Sequence, residues 1–405
     1  MTTNNTNDYR ITIVKDFDCF LHYFQNKAVK LTKTNEYMTR TDLLALYELM
    51  SEPKLMVHEK SNQPAYPILH LFFILGLELK LLQKTSTGSG IKATVNEQRL
   101  GVYRSLTPSE QYVTLLECFW LKADWDELQG GYHRRGPDNV DFLFETLSAY
   151  PIDTKIEISQ EKDLEDMLYR YNHFLFYFEL FGLWKVEIDD EMTNRLSVNY
   201  HGAKSLILTP LFLEIEHVLR DTFEFREDMK ALYESFEMDG EVEQDSDKPD
   251  LFELLQHRFS EGQLVNRLDD ETQAVIIGEH VFKVSLNKSC WRTMQLNESH
   301  NLLDFHLLIQ RAFDFNDDHL YAFYMDGKKF GKKGYYSTMD VQGPFVNEIK
   351  IGELQLFVGQ KFLYLFDFGE EWEFTIEVVR VTEGKSGSQA AILDSKGESP
   401  NQYDF

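Results

Sequence analysis

Apolar and polar positions change period along the chain. Between Ser299 and Phe313, Leu302, Leu303, Phe305, Leu308, Ile309, Ala312 and Phe313 recur at helical spacing, which predicts one amphipathic helix. Val275 to Leu286, just before it, is rich in β-formers and predicts a strand. His319 to Met325 alternates toward Asp326-Gly327, the signal of a hairpin. Leu354 to Phe366 and Trp372 to Val381 predict two further strands flanking a turn over Asp367 to Glu371. One helix against about four strands makes a compact α+β domain over residues 274–405, with the main helix on a mostly antiparallel sheet.

Upstream, the pattern is rich in helix and repeats itself. An apolar helix from Ile68 to Leu75 is followed by Gly76-Leu77, a strand from Glu78 to Lys84, a polar turn, and Leu106-Thr107-Pro108 opening a helix through Trp120. Met167 to Phe181 is likewise followed by Gly182-Leu183, a strand from Trp184 to Ile188, and Leu208-Thr209-Pro210 opening a helix. A glycine can cap a helix in the left-handed conformation, and Thr-Pro places an N-cap before a residue suited to the first helical turn. Thr39 is the expected cap of a helix over Leu43 to Met50. This order resembles winged-helix modules, which predicts two of them in tandem; the alternative is an ordinary helical domain with two coincident Leu-Thr-Pro triplets. In a DNA reader the helix before Gly-Leu carries Arg, Lys, Asn or Gln. Pro67 to Leu75 has neither lysine nor arginine, and the second copy sets Glu161, Asp163, Glu165 and Asp166 against Lys162 and Arg170. Modules of that kind point to protein contacts instead. The local basic run Tyr132-His133-Arg134-Arg135-Gly136 reads as a solvated turn.

Composition sharpens this outline. The 405 residues correspond to about two or three domains. A 43% apolar and 14% aromatic content supplies their cores and excludes disorder of the whole chain. With 67 acidic against 41 basic residues the formal charge is -26, which repels polyanions and attracts basic partners. The acids concentrate between Ser235 and Asp250, where Lys248 alone faces seven of them; such a block repels itself and predicts a solvated linker. The expected organisation is a first winged-helix-like module over 1–125, a second over 126–234, an acidic linker over 235–250, a helical connector over 251–273 and the α+β domain over 274–405. Met1 to Asn7 lacks the basic segment and apolar core of a secretory signal, and the apolar run Leu71 to Leu77 is far short of the roughly 20 residues that span a bilayer. A cytoplasmic protein is expected. Cys19, Cys118 and Cys290 lie far apart, form no C-x-x-C, and predict reduced, buried thiols.

Several separated segments of the C-terminal third carry a signature. They are Cys290-Trp291-Arg292, Leu303 to Gln310, Asp317-Asp318-His319-Leu320 with Phe323, Phe366 to Trp372, and the closing Lys396-Gly397-Glu398-Ser399-Pro400-Asn401-Gln402-Tyr403. In this order they resemble the plasmid open-reading-frame-three-like family, whose members are often labelled insertion-element passenger TnpR-like proteins. The resemblance covers about Ala274 to Phe405 and implies a small α+β fold with no established activity. Members often have histidine shortly after the Asp-Phe-Gly-acid-acid-Trp run, where this chain has Phe374.

Chemistry is sparse. His306, His319, Asp317, Asp318, Glu370, Glu371 and Glu373 are the strongest cluster for acid–base or metal work, but no ligand spacing supports it. His306 beside an apolar stripe also fits a satisfied structural side chain. Lys328-Lys329-Phe330-Gly331-Lys332-Lys333-Gly334 is the one dense basic run, suited either to phosphate contacts or to a solvated hairpin tip. Gly384-Lys385-Ser386 lacks the first P-loop glycine because Val379 stands there. Gly88-Ser89-Gly90 is no dinucleotide fingerprint, and Asp367-Phe368-Gly369 is not accompanied by the other kinase motifs. The candidate binding residues are Trp291, Arg292, His306, His319, Lys328, Lys329, Lys332, Lys333, Asp367 and Trp372; no catalytic residue, metal ligand or cofactor is nominated. The leading reading is a non-catalytic interaction protein with protein partners, whose anchors include Trp291, Tyr335, Tyr336 and Trp372. A nucleic-acid-associated accessory factor of a mobile element comes second, and a metal-dependent enzyme third.

Overall fold

Side-chain caps set where several helices begin. The computed structural model of the chain describes residues 6–51, 57, 60–87, 90–129, 136, 137, 139–161, 164, 165, 168, 171, 173–189, 202–235, 250–256, 258, 264–268, 277–331, 334–341, 343–354, 356–384 and 389–403, with backbone alone for 6–10, 86, 87, 224–235 and 383. Two compact units result, the first ending near residue 272 and the second running on to the C-terminus. Residues 236–249, where the acidic linker was expected, and 132–135 of the basic turn lie outside the described residues.

The N-terminal unit begins with α1 (Thr6–Asn26), β1 (Val29–Lys30), α2 (Arg40–Leu49) and α3 (Pro67–Glu78), then β2 (Leu82–Thr87) and β3 (Gly90–Val95), which form a sheet in the order β1-β3-β2. Thr39 caps α2 by accepting from the Asp42 amide, as its position predicts. After α4 (Glu97–Ser105), α5 (Pro108–Glu117) opens on a full capping box: the Thr107 hydroxyl accepts from the Glu110 amide while the Glu110 carboxylate accepts from the Thr107 amide. The helix does not run regularly to Trp120. From Cys118 to Lys122 it widens into a π turn closed by the Ala123 amide on the Cys118 carbonyl. The indole of Trp120 thereby donates to Thr222 Oγ1 at 2.9 Å.

α6 (Trp125–Leu128), α7 (Val140–Ser148), β4 (Lys155–Glu157), α8 (His173–Leu180), β5 (Trp184–Asp189), β6 (Gly202–Leu208) and the long α9 (Pro210–Ser235) follow. Their sheet, β4-β6-β5, repeats the order of the first. The two glycines that open the hairpins act differently. Gly182 takes a φ of 80° just past α8 and caps it, as expected. Gly76 instead lies inside α3, because a Cβ there would come within 2.9 Å of Leu82 Cδ1; its role is close helix–strand approach, and β2 starts at Leu82 rather than Glu78. α3 is apolar around its whole circumference and is buried on all sides from Pro67 to Gly76. It packs against α8, which is buried along its length except for the half-buried Glu179. One hydrophobic cluster therefore contains both copies.

α10 (Leu251–Gln256) belongs to that same core through Leu251, Phe252 and Leu255, joined by Leu264 and Leu268 beyond it. The segment expected as a helical connector is thus part of the N-terminal packing, because three of α10's six residues are large apolar side chains on its inner face. Glu110, 1% exposed, secures it: its Oε1 accepts from the amides of Val265 at 2.9 Å and Asn266 at 2.6 Å. Burial would raise the Glu110 pKa, but the amides of Asn266, Thr107 and Val265 more than reverse this and hold it below the ordinary value.

The C-terminal unit is one seven-stranded antiparallel sheet, ordered β10-β9-β11-β12-β7-β8-β13, carrying one helix on the face where most of its core lies. Its elements are β7 (Gly278–Ser285), β8 (Trp291–Asn297), α11 (Leu302–Phe313), β9 (Tyr321–Tyr324), β10 (Gly334–Tyr336), β11 (Lys361–Phe366), β12 (Trp372–Glu383) and β13 (Ala391–Lys396). The α+β class and the single main helix agree with the sequence pattern, but the strand count rises from about four to seven. β8 mixes Arg292 and Gln295 into its alternation, β10 has three residues, and β13 is an exposed edge carrying Asp394 and Lys396, so none gives an apolar signal. α11 starts at Leu302 rather than Ser299 because Asn301 caps it in a box with Asp304. Residues Ile351–Leu354 form a 3-10 turn, and β11 begins only at Lys361. All three cysteines are free; Cys118 and Cys290 are buried, while Cys19 is half-buried. Among the described residues no helix is long and apolar enough to cross a membrane.

Replacing Glu110 by alanine removes the capping box and leaves the backbone amides of Thr107, Val265 and Asn266 without their acceptor. A loss of about 1–3 kcal/mol in urea unfolding is expected. A loss below about 0.5 kcal/mol would show that the α10 segment is held by apolar packing alone.

Candidate functional site

α11 presents one apolar face to the sheet, and His306 and Gln310, four residues apart, lie on it. His306 is fully buried and stacks flat on Tyr321, with ring centroids 3.5 Å apart. Its Nδ1 lies 2.7 Å from the Tyr364 hydroxyl and its Nε2 2.9 Å from Asp317 Oδ1. The Gln310 amide donates to the same Tyr364 hydroxyl at 2.8 Å. The donors can be assigned in only one consistent direction for a neutral ring: Gln310 donates to Tyr364, Tyr364 to Nδ1, and Nε2–H to Asp317. Burial drives the His306 pKa from 6.5 down to about 4, with the Asp317 charge and hydrogen bond pulling the other way. The chain crosses from the core to the surface, where the Asp317 side chain is 40% exposed.

This divides the cluster expected from sequence. His306 pairs with Asp317, the ring inside the core and the carboxylate at its surface. Asp318 and His319, next in the chain, face a surface groove of about 780 Å³ together with Glu370, Glu371, Trp372 and Tyr403. The groove's turn is built by Asp367, which is buried and left-handed at φ 57°, as is Glu371 at φ 54°. Asp367 Oδ1 accepts from the amides of Gly369 and Glu370, and its Oδ2 lies 3.5 Å from His319 Nε2. Glu373 leaves the cluster and pairs with Lys329, which also holds Glu371. Among the described residues no group of His, Cys, Asp and Glu is placed to hold a metal ion.

The other wall is the C-terminal tail. Gln402 is locked against the loop after α11: its side-chain oxygen accepts from the Asn316 amide, and its Nε2 lies 2.9 Å from Asp318 Oδ1. The Tyr403 hydroxyl donates to the same oxygen at 2.9 Å. Gly397 allows the tail to turn there with φ 77°, since a Cβ would collide with the Ser289 carbonyl oxygen. Arg292 holds the turn in place. Its guanidinium donates to the carbonyls of Ala312, Trp291 and Lys396 and to Ser399 Oγ, and lies 4.6 Å from the Phe313 ring centroid. A cation at the last turn of α11 is favourably placed against the helix dipole.

Of the candidate residues, then, His319 and Trp372 line the groove and Asp367 is buried under its turn, while His306 and Arg292 are buried elsewhere in the unit. Trp291 is half-buried on β8 beneath Lys283, whose Nζ is 4.7 Å from its ring centroid, and Lys328 is exposed. Lys332 and Lys333 lie outside the described residues. Trp372, Tyr335 and Tyr336 are half-buried rather than projecting. Sequence reasoning missed Gln402 and Tyr403 as groove residues, although the Pro400-Asn401-Gln402-Tyr403 motif signalled a constrained tail, and missed Tyr364 and Gln310 because a buried polar partner looks like any other strand or helix position.

The sheet, its single covering helix and the returning tail define a small α+β domain. Residues 280–402 match the family model of plasmid pRiA4b ORF-3-like proteins, within the C-terminal third where the sequence resembles that family. A comparison with curated proteins finds no match. Among solved structures, the chain is similar to a protein of unknown function from Methanosarcina mazei Go1, at 22% identity over 31% of this chain and 72% of that one, with a TM-score of 0.26.

Because the unfolded chain protonates histidine near 6.5 and folded His306 resists until about 4, the stability supplied by neutral His306 is complete above 6.5 and is lost as the pH falls through that window. Urea midpoints read on C-terminal-unit NMR resonances should therefore drop between about pH 7 and about pH 5. Tyr364→Phe, which leaves Nδ1 without its donor, should cost about 1–3 kcal/mol near neutrality. Identical midpoints at the two pH values would rule out a neutral, buried His306.

Proposed function

We propose that this is a non-catalytic, cytoplasmic protein-interaction protein that combines two winged-helix-like modules, over about 1–125 and 126–234, with the plasmid pRiA4b ORF-3-like segment. The order α1, β1, α2, α3, β2, β3 with sheet β1-β3-β2 supports the first module. The second is supported by α7, β4, helical residues at 164, 165 and 168, α8, β5 and β6, with sheet β4-β6-β5.

The observation that carries the functional reading is the packing of α3 against α8. In a winged-helix DNA reader the helix before the hairpin lies in the major groove with its side chains on base edges. Here both such helices are sunk in a shared core, apolar and without an exposed basic face. The helix that would read DNA has become the seam between the two copies. The net charge of -26 further disfavours a polyanion, and Lys329 of the basic run is engaged by Glu371 and Glu373. His306, the strongest acid–base candidate, is itself fully buried with both ring nitrogens engaged by Tyr364 and Asp317, which supports a structural role for it.

Electrophoretic mobility assays with duplex DNA and single-stranded RNA at about 50 mM salt, where backbone contacts are strongest, should show no shift. Cross-linking in native lysate followed by mass spectrometry should retain protein partners. A salt-sensitive nucleic-acid shift would replace this reading with that of a nucleic-acid-associated accessory factor.

A further inference from the structure

We infer that β13 is the edge through which two copies of this chain pair, strand to strand, about a twofold axis at Ser395. The occupant is the chain itself, which goes beyond the partners of the preceding reading. β13 ends the seven-stranded order with β8 as its neighbour, and among the described residues no strand pairs with its outer side. The other end of the sheet is closed, since the Tyr336 amide of β10 donates to the Pro344 carbonyl and the Val346 amide to the Tyr336 carbonyl. β13 is exposed from Ile392 to Lys396, with the aliphatic pair Ile392 and Leu393 at 39% and 48%. Such an open strand offers a row of backbone groups to which a second strand can bond.

The neighbouring strands decide which of those groups face outward. At one end of the β7–β8 pair the Leu286 amide donates to the Cys290 carbonyl, and at the other the Glu298 amide donates to the Gly278 carbonyl. Backbone groups of alternate residues point the same way in an antiparallel ladder, so Arg292, Met294 and Leu296 turn theirs toward β7, and Trp291, Thr293 and Gln295 toward β13. On β13, Asp394 and Lys396 lie opposite Thr293 and Trp291, whereas Ser395 lies opposite Arg292. Ser395 therefore presents its N–H and C=O to the open edge. Its amide donates sideways there, to Asp394 Oδ1 at 2.8 Å.

Antiparallel pairing of Ser395 with Ser395 of a second copy exchanges two N–H···O=C bonds and frees the Asp394 carboxylate. The flanking residues then meet in non-hydrogen-bonded pairs, where opposing side chains come closest. Asp394 faces Lys396 of the second copy, and Lys396 faces its Asp394. Being two residues apart, both side chains lie on one face of the sheet. Centring the axis on Asp394 or on Lys396 instead would set like charges opposite each other, which is unfavourable. The strand Ala391–Lys396 carries one acid and one base, so two copies of a chain with charge -26 can meet here without adding to their repulsion. A bulge between Ile392 and Asp394 and the turn at Gly397, with φ 77°, bound the new ladder and keep it short. A contact of that size fits a weak dimer, with Kd on the order of 0.1 mM.

Sedimentation equilibrium of the full chain at about 0.15 M salt, where charges beyond about 8 Å are largely screened, should show a concentration-dependent dimer. Hydrogen exchange at the Ser395 amide should slow as concentration rises. Asp394→Lys or Lys396→Asp alone puts like charges into both cross-strand pairs and should weaken the dimer about tenfold or more. Mixing those two variants restores opposite charges and should give a heterodimer at least as tight as the wild-type dimer. Asp394 and Lys396 are both exposed, so the fold tolerates these changes. Neutralising the pair, with Asp394→Asn and Lys396→Gln together, should weaken the dimer about threefold or more. If the neutralised protein associates more strongly, the charges guard the edge against pairing and the assignment falls. It falls equally if the wild type stays monomeric up to about 1 mM, or if a dimer forms that neither reversal affects.

Discussion

A hydrogen-bond chain through His306 joins the helix of the C-terminal unit to its sheet and to the loop that follows. In a low-dielectric interior such a chain is worth most when every member is paired, and each deletion leaves a costly orphan behind. Gln310 and His306 come from α11, Tyr364 from the middle of β11, and Asp317 from the loop. The chain therefore sets the register of helix on sheet and fixes the loop at Asp317. Asp318 and His319 follow in sequence and are directed to the groove by that anchor, while Gln402 and Tyr403 hold the same loop from the tail side.

The N-terminal unit solves a different problem. Two helix–hairpin segments each carry an apolar helix, and pairing α3 with α8 buries both in one core. This packing leaves neither helix with a solvent-facing side over its buried length. Trp120, reaching α9 through Thr222, and Glu110, reaching the residues after α10, tie later segments onto that core with buried polar contacts.

Arg292 and His306, both among the candidate binding residues, have structural partners: Arg292 closes the end of α11 and the tail turn, and His306 joins the helix to the sheet. The groove residues, by contrast, are ordinary in sequence. Asp318, Glu370 and Glu371 are turn acids of the sort found on any solvated loop, and their convergence depends on strands far apart in the chain.

Local rules written in the sequence determined the α+β class, the single amphipathic helix of the C-terminal third, the caps at Thr39 and Thr107, the Gly182 turn and the repeated order of elements in the N-terminal part. Each follows from interactions spanning a few residues. The strands β8, β10 and β13 were hidden because short, polar or edge strands gain their stability from neighbours in the sheet rather than from their own pattern. Gly76 inside α3, the pairing of α3 with α8, the separation of His306 from His319 and the assembly of the groove were decided only by tertiary structure. All of them are contacts between segments distant along the chain, and a one-dimensional pattern carries the spacing of residues but not which distant side chains will share a buried space.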